Sequence, residues 1–212
     1  MREEERLLQG LLFWPLDPEL RAMKAKAHKL SALYSRTFEE ETETRADILR
    51  RLLGGMGNGV FMQGPIFFHY GCHTTIGDNF YANYNLTVQD DARVEIGSHC
   101  AFGPNVTIVT PNHPLIASER LAMLHPDGQA HNLCYAQPVK IGDHVWLGGN
   151  VTICGGVTIG DGCVIGAGSV VTRDIPAHTL AAGVPCRVIR EITEADSMQN
   201  RPELLGGCSV LP

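Results

Sequence analysis

Residues 141–171 read IGDHVWLGGNVTICGGVTIGDGCVIGAGSVV, a stretch in which an aliphatic residue recurs at every sixth position. The repeat positions are Ile141, Leu147, Ile153, Ile159, Ile165 and Val171. A period of six matches neither the 3.6-residue turn of a helix nor the alternation of a half-buried strand. It is typical of short strands joined by tight corners. Three such strands form one triangular turn of a parallel β-helix, with every sixth side chain inside.

Two further turns with the same period lie upstream, and their repeat positions are Ile76, Ala82, Val88, Ile96, Phe102 and Ile108. Gly, Asn and Asp are frequent between the repeat positions, as expected of corners that need positive φ. The period is lost between Ile108 and Ile141. We therefore expect residues 109–140 to protrude from the prism as a long loop, called the arm below. A loop of this length in a compact domain is usually functional.

Three segments are predicted along the chain. Residues 1–57 carry helical patterns and are expected to form an α-helical cap over one end of the β-helix, because a stack of repeats must cover its terminal core. Residues 58–192 are expected to form the β-helix together with the arm. Residues 193–212 are expected to form a loose C-terminal tail. The predicted fold class is therefore mainly β, with helices confined to the cap.

The cap contains three helical patterns separated by helix-breaking residues. The first runs from Glu3 to Leu12 and ends before two prolines, which cannot lie inside a helix. The second begins at Asp17-Pro18, where Asp suits the N-cap and Pro the first helical position, and runs to about Tyr34. The third begins near Thr44 and is stopped by Gly54-Gly55.

Composition excludes several classes of protein. The 212 residues include 17 Lys plus Arg and 23 Asp plus Glu, and the net charge of −6 argues against a general nucleic-acid binder. Seven cysteines without a CxxC pair do not indicate a disulfide framework or a zinc knuckle. The charged start, Met1 to Arg6, is not followed by a long apolar run. We therefore expect no signal peptide, no membrane span and a cytoplasmic location.

Several motifs carry a resemblance to a known family, and they are Asp17-Pro18-Glu19-Leu20, Asn79-Phe80-Tyr81-Ala82-Asn83, Asp90-Asp91, His113-Pro114, Val145-Trp146-Leu147-Gly148 and Ala182-Gly183-Val184-Pro185-Cys186-Arg187-Val188-Ile189-Arg190. With these motifs the chain resembles the hexapeptide-repeat O-acetyltransferases of the maltose/galactoside, or nodulation-protein-like, type. The resemblance implies a left-handed β-helix, a homotrimer with active sites between subunits, acetyl-CoA as the donor and a hydroxyl-bearing acceptor such as a sugar.

His113 is the predicted general base. A sugar hydroxyl is a poor nucleophile near neutral pH and needs a base that titrates close to the working pH, which suits imidazole. No Ser or Cys nucleophile accompanies this histidine, so we expect the hydroxyl to attack the thioester directly in a ternary complex. By its match to the family, Asn83 would hold the acceptor or the oxyanion, although a corner Asn with positive φ would also explain it.

The resemblance also implies residues that bind the two substrates. The acceptor would be contacted by Asp17, His69, Tyr81, Asn83 and Asp91. Acetyl-CoA would lie against Trp146, Gly148, Gly149, Ala167, Thr172, Arg173, Arg187 and Arg190. Arginine suits the phosphates of CoA, small residues keep the outer wall low, and Trp146 should point outward because it precedes a repeat position.

Two features depart from the family pattern. His69 precedes Tyr70-Gly71 where galactoside-type members carry serine, and the arm holds extra residues from His125 to Cys134. Both departures fall where acceptor contacts are expected.

Three other functions remain open at the level of sequence. One is acetylation of a xenobiotic such as an antibiotic, which would use the same coil and histidine. Another is a zinc enzyme like the γ-type carbonic anhydrases, which needs three histidine ligands; the nine histidines here show no clear three-ligand pattern, so no metal is expected. The third is a β-helix scaffold without catalysis, which the His113 motif and the long arm disfavour.

Overall fold

The six-residue repeat forms the coils of a parallel β-helix in the computed structural model, which describes residues 1–210. Each complete coil contributes one short strand to each of three sheets, and strands of neighbouring coils pair in parallel. The predicted fold class is therefore confirmed.

The first sheet contains β1 (Gly55–Met56), β4 (Thr74–Ile76), β7 (Val94–Ile96), β14 (Val139–Ile141) and β17 (Thr158–Ile159). The second contains β2 (Phe61–Met62), β5 (Tyr81–Ala82), β8 (Ala101–Phe102), β15 (Trp146–Leu147), β18 (Val164–Ile165), β20 (Thr179–Ala182) and β21 (Arg187–Glu191). The third contains β3 (Ile66–Phe68), β6 (Leu86–Gln89), β9 (Thr107–Val109), β16 (Thr152–Cys154) and β19 (Val170–Val171). Only β21 runs antiparallel to its neighbour within these three sheets.

The repeat positions fill the interior of the prism. All six predicted for residues 141–171 are at most 1 % exposed. Ile141 is in register with Ile96 on one side and Ile159 on the other, so side chains of equal role stack in columns. Burying one such aliphatic side chain contributes about 1.5–3 kcal/mol. These columns are the core that holds the coils together.

Asparagines with positive φ form one corner column. Asn85, Asn105 and Asn150 have φ near +60° and lie one above another in successive coils. The Asn85 amide donates to Asn105 Oδ1 at 2.9 Å, and the Asn105 amide donates to Asn150 Oδ1 at 3.1 Å. Asn83 is not among the residues with positive φ. A corner conformation therefore does not explain Asn83, because Asn85 takes that position.

The cap consists of α1 (Glu3–Leu8), α2 (Pro18–Tyr34) and α3 (Thr42–Leu52). The predicted start of α2 is confirmed, since Asp17 caps it and Pro18 is its first residue. The predicted end of α1 at Leu12 is wrong, because the chain turns at Gly10 with a φ of +71°. Leu30 and Tyr34 of α2 are buried in the same core as the first coils, so the cap closes that end of the prism.

The arm is a small folded unit made of β10 (Pro111–Asn112), α4 (Ala117–Leu121), β11 (Met123–Leu124), β12 (Ala130–His131) and β13 (Tyr135–Ala136). It leaves the prism and returns to it through the antiparallel pair of β10 and β13. Phe13 and Cys134 exchange backbone hydrogen bonds of 2.9 and 3.1 Å, which tie the arm to the cap. The arm carries large aliphatic side chains in solvent, namely Leu115, Ile116, Leu121 and Leu124.

The segment after β21 has more structure than the predicted loose tail. It forms two 3₁₀ turns (Glu194–Asp196 and Met198–Asn200) and α5 (Pro202–Leu205). An ion pair between Arg190 and Asp196 ties the first turn to β21. The last two residues of the predicted tail lie outside the described residues. Within residues 1–210, no helix has both the length and the apolar character needed to cross a membrane.

Candidate active site

His113 lies at the start of the arm on an exposed part of the surface. It follows β10, in which Asn112 is paired with Tyr135. The preceding corner is rigid, because the Thr110 hydroxyl donates to the Gln89 carbonyl at 2.8 Å and accepts from the Ala92 amide at 3.0 Å. Among the described residues the imidazole has no hydrogen-bond partner. A fixed backbone therefore presents an exposed imidazole that no other described side chain engages.

Two other predicted residues share this corner of the prism. His69 follows β3, and Asp91 lies two residues beyond β6. His113 follows β10, the short strand that comes directly after β9. Strands β3, β6 and β9 are neighbours in the third sheet, in the order β3-β6-β9. His69 Nε2 lies 3.9 Å from Asp91 Oδ1. One edge of the third sheet thus collects three of the residues that the sequence singled out.

Asp91 is a buried carboxyl group with unused hydrogen-bonding capacity. It is 2 % exposed, and its Oδ2 has no hydrogen-bond partner in the part of the chain that is described. Burial, followed by the neighbouring Asp90, raises the pKa of Asp91 from its ordinary 3.8 to about 7. The Tyr70 hydroxyl is also buried without a partner, and burial raises its pKa. Such polar atoms normally meet a water molecule or a ligand.

His69 differs from His113 in its environment. Its side chain is 20 % exposed, and burial lowers its pKa to about 4, with smaller contributions from Lys24 and His28. His69 is therefore neutral near pH 7 and can donate one hydrogen bond and accept another. A histidine held neutral in this way suits recognition of a hydroxyl group better than removal of its proton.

Asp17 combines a structural task with a free oxygen. Its Oδ1 accepts hydrogen bonds from the backbone N–H groups of Glu19 at 2.9 Å and Leu20 at 3.2 Å. Capping the helix therefore uses one oxygen of the carboxylate, and the side chain is only half-buried. The second oxygen remains available to a hydroxyl group.

The structure does not bring Tyr81 and Asn83 to the corner of Asp91 within one protomer. Tyr81 lies on the outer face of the second sheet, where its hydroxyl donates to Gln63 Oε1 at 3.2 Å. Asn83 follows on the same face, and its Oδ1 accepts from the Tyr84 amide at 2.8 Å. The separation arises because the whole of β6 lies between Asn83 and Asp91.

Trp146 points outward, as predicted. It is 57 % exposed and belongs to a column of the second sheet that also contains Tyr81, Ala101 and Val164. Tyr81 and Trp146 therefore flank Ala101 on one outer face. This face is an open wall with an aromatic ring on each side of a small residue.

Different physical constraints explain the small residues of this wall. A Cβ atom on Gly148 would come within 2.6 Å of the Ala167 backbone nitrogen, so the spacing of the coils alone requires glycine there. Gly149 would meet Pro104 at 3.3 Å, which is a milder restriction. Gly168 has nothing within 4 Å of such an atom, although its φ of +72° favours glycine. A low outer wall therefore explains Gly168 better than it explains Gly148.

The predicted phosphate-binding residues lie near the C-terminal end of the coils. Thr172 and Arg173 are exposed just after β19, and Arg187 begins β21. The Arg187 guanidinium donates to the Cys186 carbonyl at 2.8 Å. Arg190 instead forms a fork with both carboxylate oxygens of Asp196, at 2.7 and 2.6 Å. Arg190 is therefore less available to a phosphate than Arg173 or Arg187.

One cluster of side chains was missed in the sequence analysis. His125, Asp127 and His131 of the arm bring one potential metal-ligating atom each to within 4.8 Å of one another. The histidines alone show no three-ligand pattern, because the third ligand of this cluster is an aspartate. The signal was the spacing His-x-Asp-x-x-x-His around a Pro and a Gly.

Two family models match the chain. Residues 6–57 match the maltose acetyltransferase hexapeptide capping motif, and residues 138–173 match the bacterial transferase hexapeptide of six repeats. The chain is 40% identical over 192 residues to the galactoside O-acetyltransferase of Escherichia coli strain K12, which covers 91% of this chain and 90% of that protein.

Two solved structures share the whole architecture. A maltose O-acetyltransferase from Clostridium difficile 630 is 43% identical with a TM-score of 0.80, covering 92% of this chain and 99% of that one. A galactoside acetyltransferase in complex with coenzyme A is 40% identical with a TM-score of 0.83, covering 92% of this chain and 94% of that one.

Proposed function

Because this chain belongs to the hexapeptide-repeat O-acetyltransferases of the maltose and galactoside type, we propose that it transfers an acetyl group from acetyl-CoA to a hydroxyl of a sugar or sugar-like acceptor, with His113 as the general base. The observation that carries the assignment of the base is the exposed imidazole of His113, which has no hydrogen-bond partner among the described residues and follows a rigid corner at the start of the arm. The coenzyme A complex of the galactoside acetyltransferase supports acetyl-CoA as the donor.

The reaction needs one proton to move twice. The acceptor hydroxyl oxygen attacks the thioester carbonyl carbon while His113 takes the hydroxyl proton. A tetrahedral intermediate forms, and its oxyanion needs a hydrogen-bond donor, for which the Asn83 amide is the candidate. The intermediate then collapses, the C–S bond breaks, and the imidazolium returns the proton to the departing thiolate of CoA. No covalent acetyl-enzyme is formed.

The acceptor would be held by polar groups that the fold leaves unused. Asp91 Oδ2 and the Tyr70 hydroxyl are buried without partners in the described chain. The second carboxylate oxygen of Asp17 does not take part in capping the helix. His69 adds a neutral donor and acceptor beside Asp91. Together these groups can bind several hydroxyls, which is the common feature of sugars.

A homotrimer would complete this site. Asn83 and Tyr81 face outward from the second sheet, whereas His113 and Asp91 stand at an edge of the third sheet. In a cyclic trimer in which the strand ends of one protomer meet the outer face of the next, the two parts of the site would come together at each interface. The same contact would cover the exposed aliphatic side chains of the arm, of which Leu115 is 93 % exposed.

Acetyl-CoA would lie along the outer wall of the second sheet. Trp146 offers an exposed ring there, and Gly149, Ala167 and Gly168 add little bulk beside it. The pyrophosphate and 3′-phosphate would be bound by Arg173 and Arg187, with Thr172 nearby and Arg190 in a secondary role. All seven cysteines are free thiols, which suits the reducing conditions of the cytoplasm as the proposed location.

His113→Ala tests the proposed base. We expect kcat to fall by roughly 10²–10⁴-fold, the range for loss of a general base, with little change in either KM. The measurement is thiol release from acetyl-CoA with a panel of sugars and glycosides. His178→Asn is the matched control, because His178 is also exposed, lies beyond the site and has a positive φ that Asn tolerates. A His113→Ala enzyme with near-normal turnover would refute the assignment, and a trapped acetyl-cysteine would replace it with a covalent route.

The proposed trimer is tested separately by light scattering. We expect the wild type and His113→Ala to have the mass of three protomers, since His113 contributes no repeat position. A stable monomer at assay concentration would contradict the shared site.

A further inference from the structure

The arm contains a cluster of three metal-ligating side chains around a tight turn. The Gly128 amide donates to the His125 carbonyl at 2.9 Å, and the His125 amide donates to the Gln129 carbonyl at 2.8 Å. This turn places His125 Nδ1 3.3 Å from Asp127 Oδ1. It also places His131 Nε2 2.7 Å from Asp127 Oδ2.

One ring nitrogen of His125 is buried and has no hydrogen-bond partner in the described chain. Its side chain is only 9 % exposed, and its Nε2 lies 3.1 Å from Glu3 Oε1. A carboxylate can only accept, so Nε2 carries the proton that it donates. The other nitrogen, Nδ1, is buried without a hydrogen-bond partner in the described chain, although the Asp127 carboxylate is close.

His125 Nδ1 and the Asp127 carboxylate face each other at 3.3 Å without a hydrogen bond of suitable direction. A cation between them would accept the lone pair of Nδ1 and pair with the carboxylate. The buried and unpartnered Nδ1 is therefore an observation, independent of the clustering itself, that indicates a ligand.

We propose that His125 Nδ1, the Asp127 carboxylate and His131 Nε2 bind one divalent transition-metal ion, of which Zn²⁺ fits best. Two imidazoles and one carboxylate are ligands that Zn²⁺ accepts, with bonds of about 2.0–2.2 Å and water as the fourth ligand. Hard ions such as Mg²⁺ prefer oxygen ligands and are not expected there.

The present geometry needs only a small adjustment to bind the ion. Ligand atoms in a tetrahedral zinc site lie roughly 3.3 Å apart, given bonds of about 2.0–2.1 Å. One ligand atom from each of the three side chains already lies within 4.8 Å of the other two. Asp127 uses different oxygens for its two short contacts, Oδ1 at 3.3 Å from His125 Nδ1 and Oδ2 at 2.7 Å from His131 Nε2.

Residues of the cap support the proposed site from outside. Glu3 accepts from the distal nitrogen of His125, which is the usual arrangement of a carboxylate behind a metal-binding histidine. The Trp14 ring stacks on His131 with centroids 4.1 Å apart. A bound ion would therefore fix the arm against the N-terminal segment. Its role is structural, since His113 is not among its ligands.

Metal uptake by the full-length protein tests the proposal. After treatment with a chelator and its removal, the wild type is dialysed against Zn²⁺, and separately against Co²⁺ to observe ligand-field absorption. We expect one ion per protomer and a Tm that rises by several degrees at a hundredfold excess of Zn²⁺ over Kd. An excess of Mg²⁺ should neither raise Tm nor displace the ion.

Two substitutions separate ligation from folding. His131→Phe keeps a ring for stacking on Trp14 and removes the nitrogen, and Asp127→Asn keeps the shape of the side chain and removes its charge. Each should lower zinc affinity by at least roughly tenfold and lose the Zn²⁺-dependent rise in Tm. His178→Asn is the control. His178 lies outside the cluster, and Asn tolerates its positive φ.

The proposal is overturned if the wild type binds neither Zn²⁺ nor Co²⁺. It is equally overturned if the two variants bind either ion as well as the control does. Uptake should be unchanged in His113→Ala, so the metal site and the proposed base succeed or fail independently.

Discussion

Replacing Asp91 by Asn should change how the stability of the protein depends on pH. The carboxyl group is 2 % exposed, and burial and Asp90 raise its pKa from 3.8 to about 7. Between these two values the folded protein holds a proton that the unfolded chain has already released. The contribution of Asp91 to the free energy of unfolding therefore falls as pH rises from about 4 to about 7.

The size of the effect follows from the shift in pKa. One pKa unit corresponds to about 1.4 kcal/mol, so the contribution of Asp91 falls by about 4 kcal/mol across this window. His69 acts in the opposite direction, because burial lowers its pKa to about 4 and its contribution increases as pH rises through the same range. The pH dependences that Asp91 and His69 give to the free energy of unfolding offset each other in the wild type. Asp91→Asn removes the contribution of Asp91, so that of His69 can be measured.

Urea denaturation of both proteins at a fixed protomer concentration measures this difference. At about pH 4 the Asn variant should be equal to the wild type or less stable by about 1–3 kcal/mol, because its buried amide lacks partners. From about pH 4 to about pH 8 the free energy of unfolding of the variant should rise by about 4 kcal/mol relative to that of the wild type. Acceptor kcat/KM should fall at the same time, if Asp91 holds a hydroxyl of the acceptor.

Asp47→Asn is the matched control. Asp47 is 62 % exposed and pairs with Arg51 on α3, so its removal should change stability by less than about 1 kcal/mol at either pH. A difference between Asp91→Asn and wild type that stays constant from about pH 4 to about pH 8 would refute the burial argument.

Three further predictions concern the coils and the donor site. Arg187→Glu should raise the KM for acetyl-CoA roughly tenfold or more without changing the KM for the acceptor. Arg190→Glu should act mainly by breaking the ion pair with Asp196 that holds the tail. Steady-state kinetics with each substrate varied in turn distinguishes the two variants. Gly148→Ala should cost about 1–3 kcal/mol in urea unfolding, because its Cβ would meet backbone at 2.6 Å. Ile153→Ala should cost about 2–5 kcal/mol by the same assay, as expected of a cavity at a fully buried position.

The coils could be predicted because their signal is local. A residue such as Ile153 takes its inward position from the corners on either side of it, and the same six-residue unit recurs along the chain. The outward direction of Trp146 followed from the same register. The hand of the helix did not follow from spacing, which is the same for either hand, and was supplied by the resemblance.

The position of the candidate base was predictable, but its surroundings were not. His113 could be located at the point where the period stops, and its role as base stays a prediction. The burial of Asp91 depends on how α2 and the end of the arm pack over it, and neither contact is written in the residues beside Asp91. The shifted pKa values at this corner are therefore properties of the tertiary structure.

Other features depend on contacts between residues far apart in sequence. Arg190 was predicted to bind phosphate, yet it pairs with Asp196 because the chain turns back after β21. The orientation of His125 depends on Glu3, which is 122 positions away and could not be inferred from the residues around His125. Sequence patterns describe neighbours along the chain well and describe such partners poorly.

The attachment of the arm to the cap has a consequence for synthesis of the protein. Leu7 and Phe13 are fully buried in a small cluster that also contains Cys134 and Ala136. Contacts such as that of Glu3 with His125 span 122 residues, so a ribosome adding about 5–20 residues per second completes them roughly 6–24 s after the first partner emerges. During that interval the N-terminal segment of the nascent chain lacks the partners that the arm supplies to its apolar side chains. It is the part of the newborn chain that a chaperone would recognise, and a ribosome that stalls before Cys134 would leave it in that state.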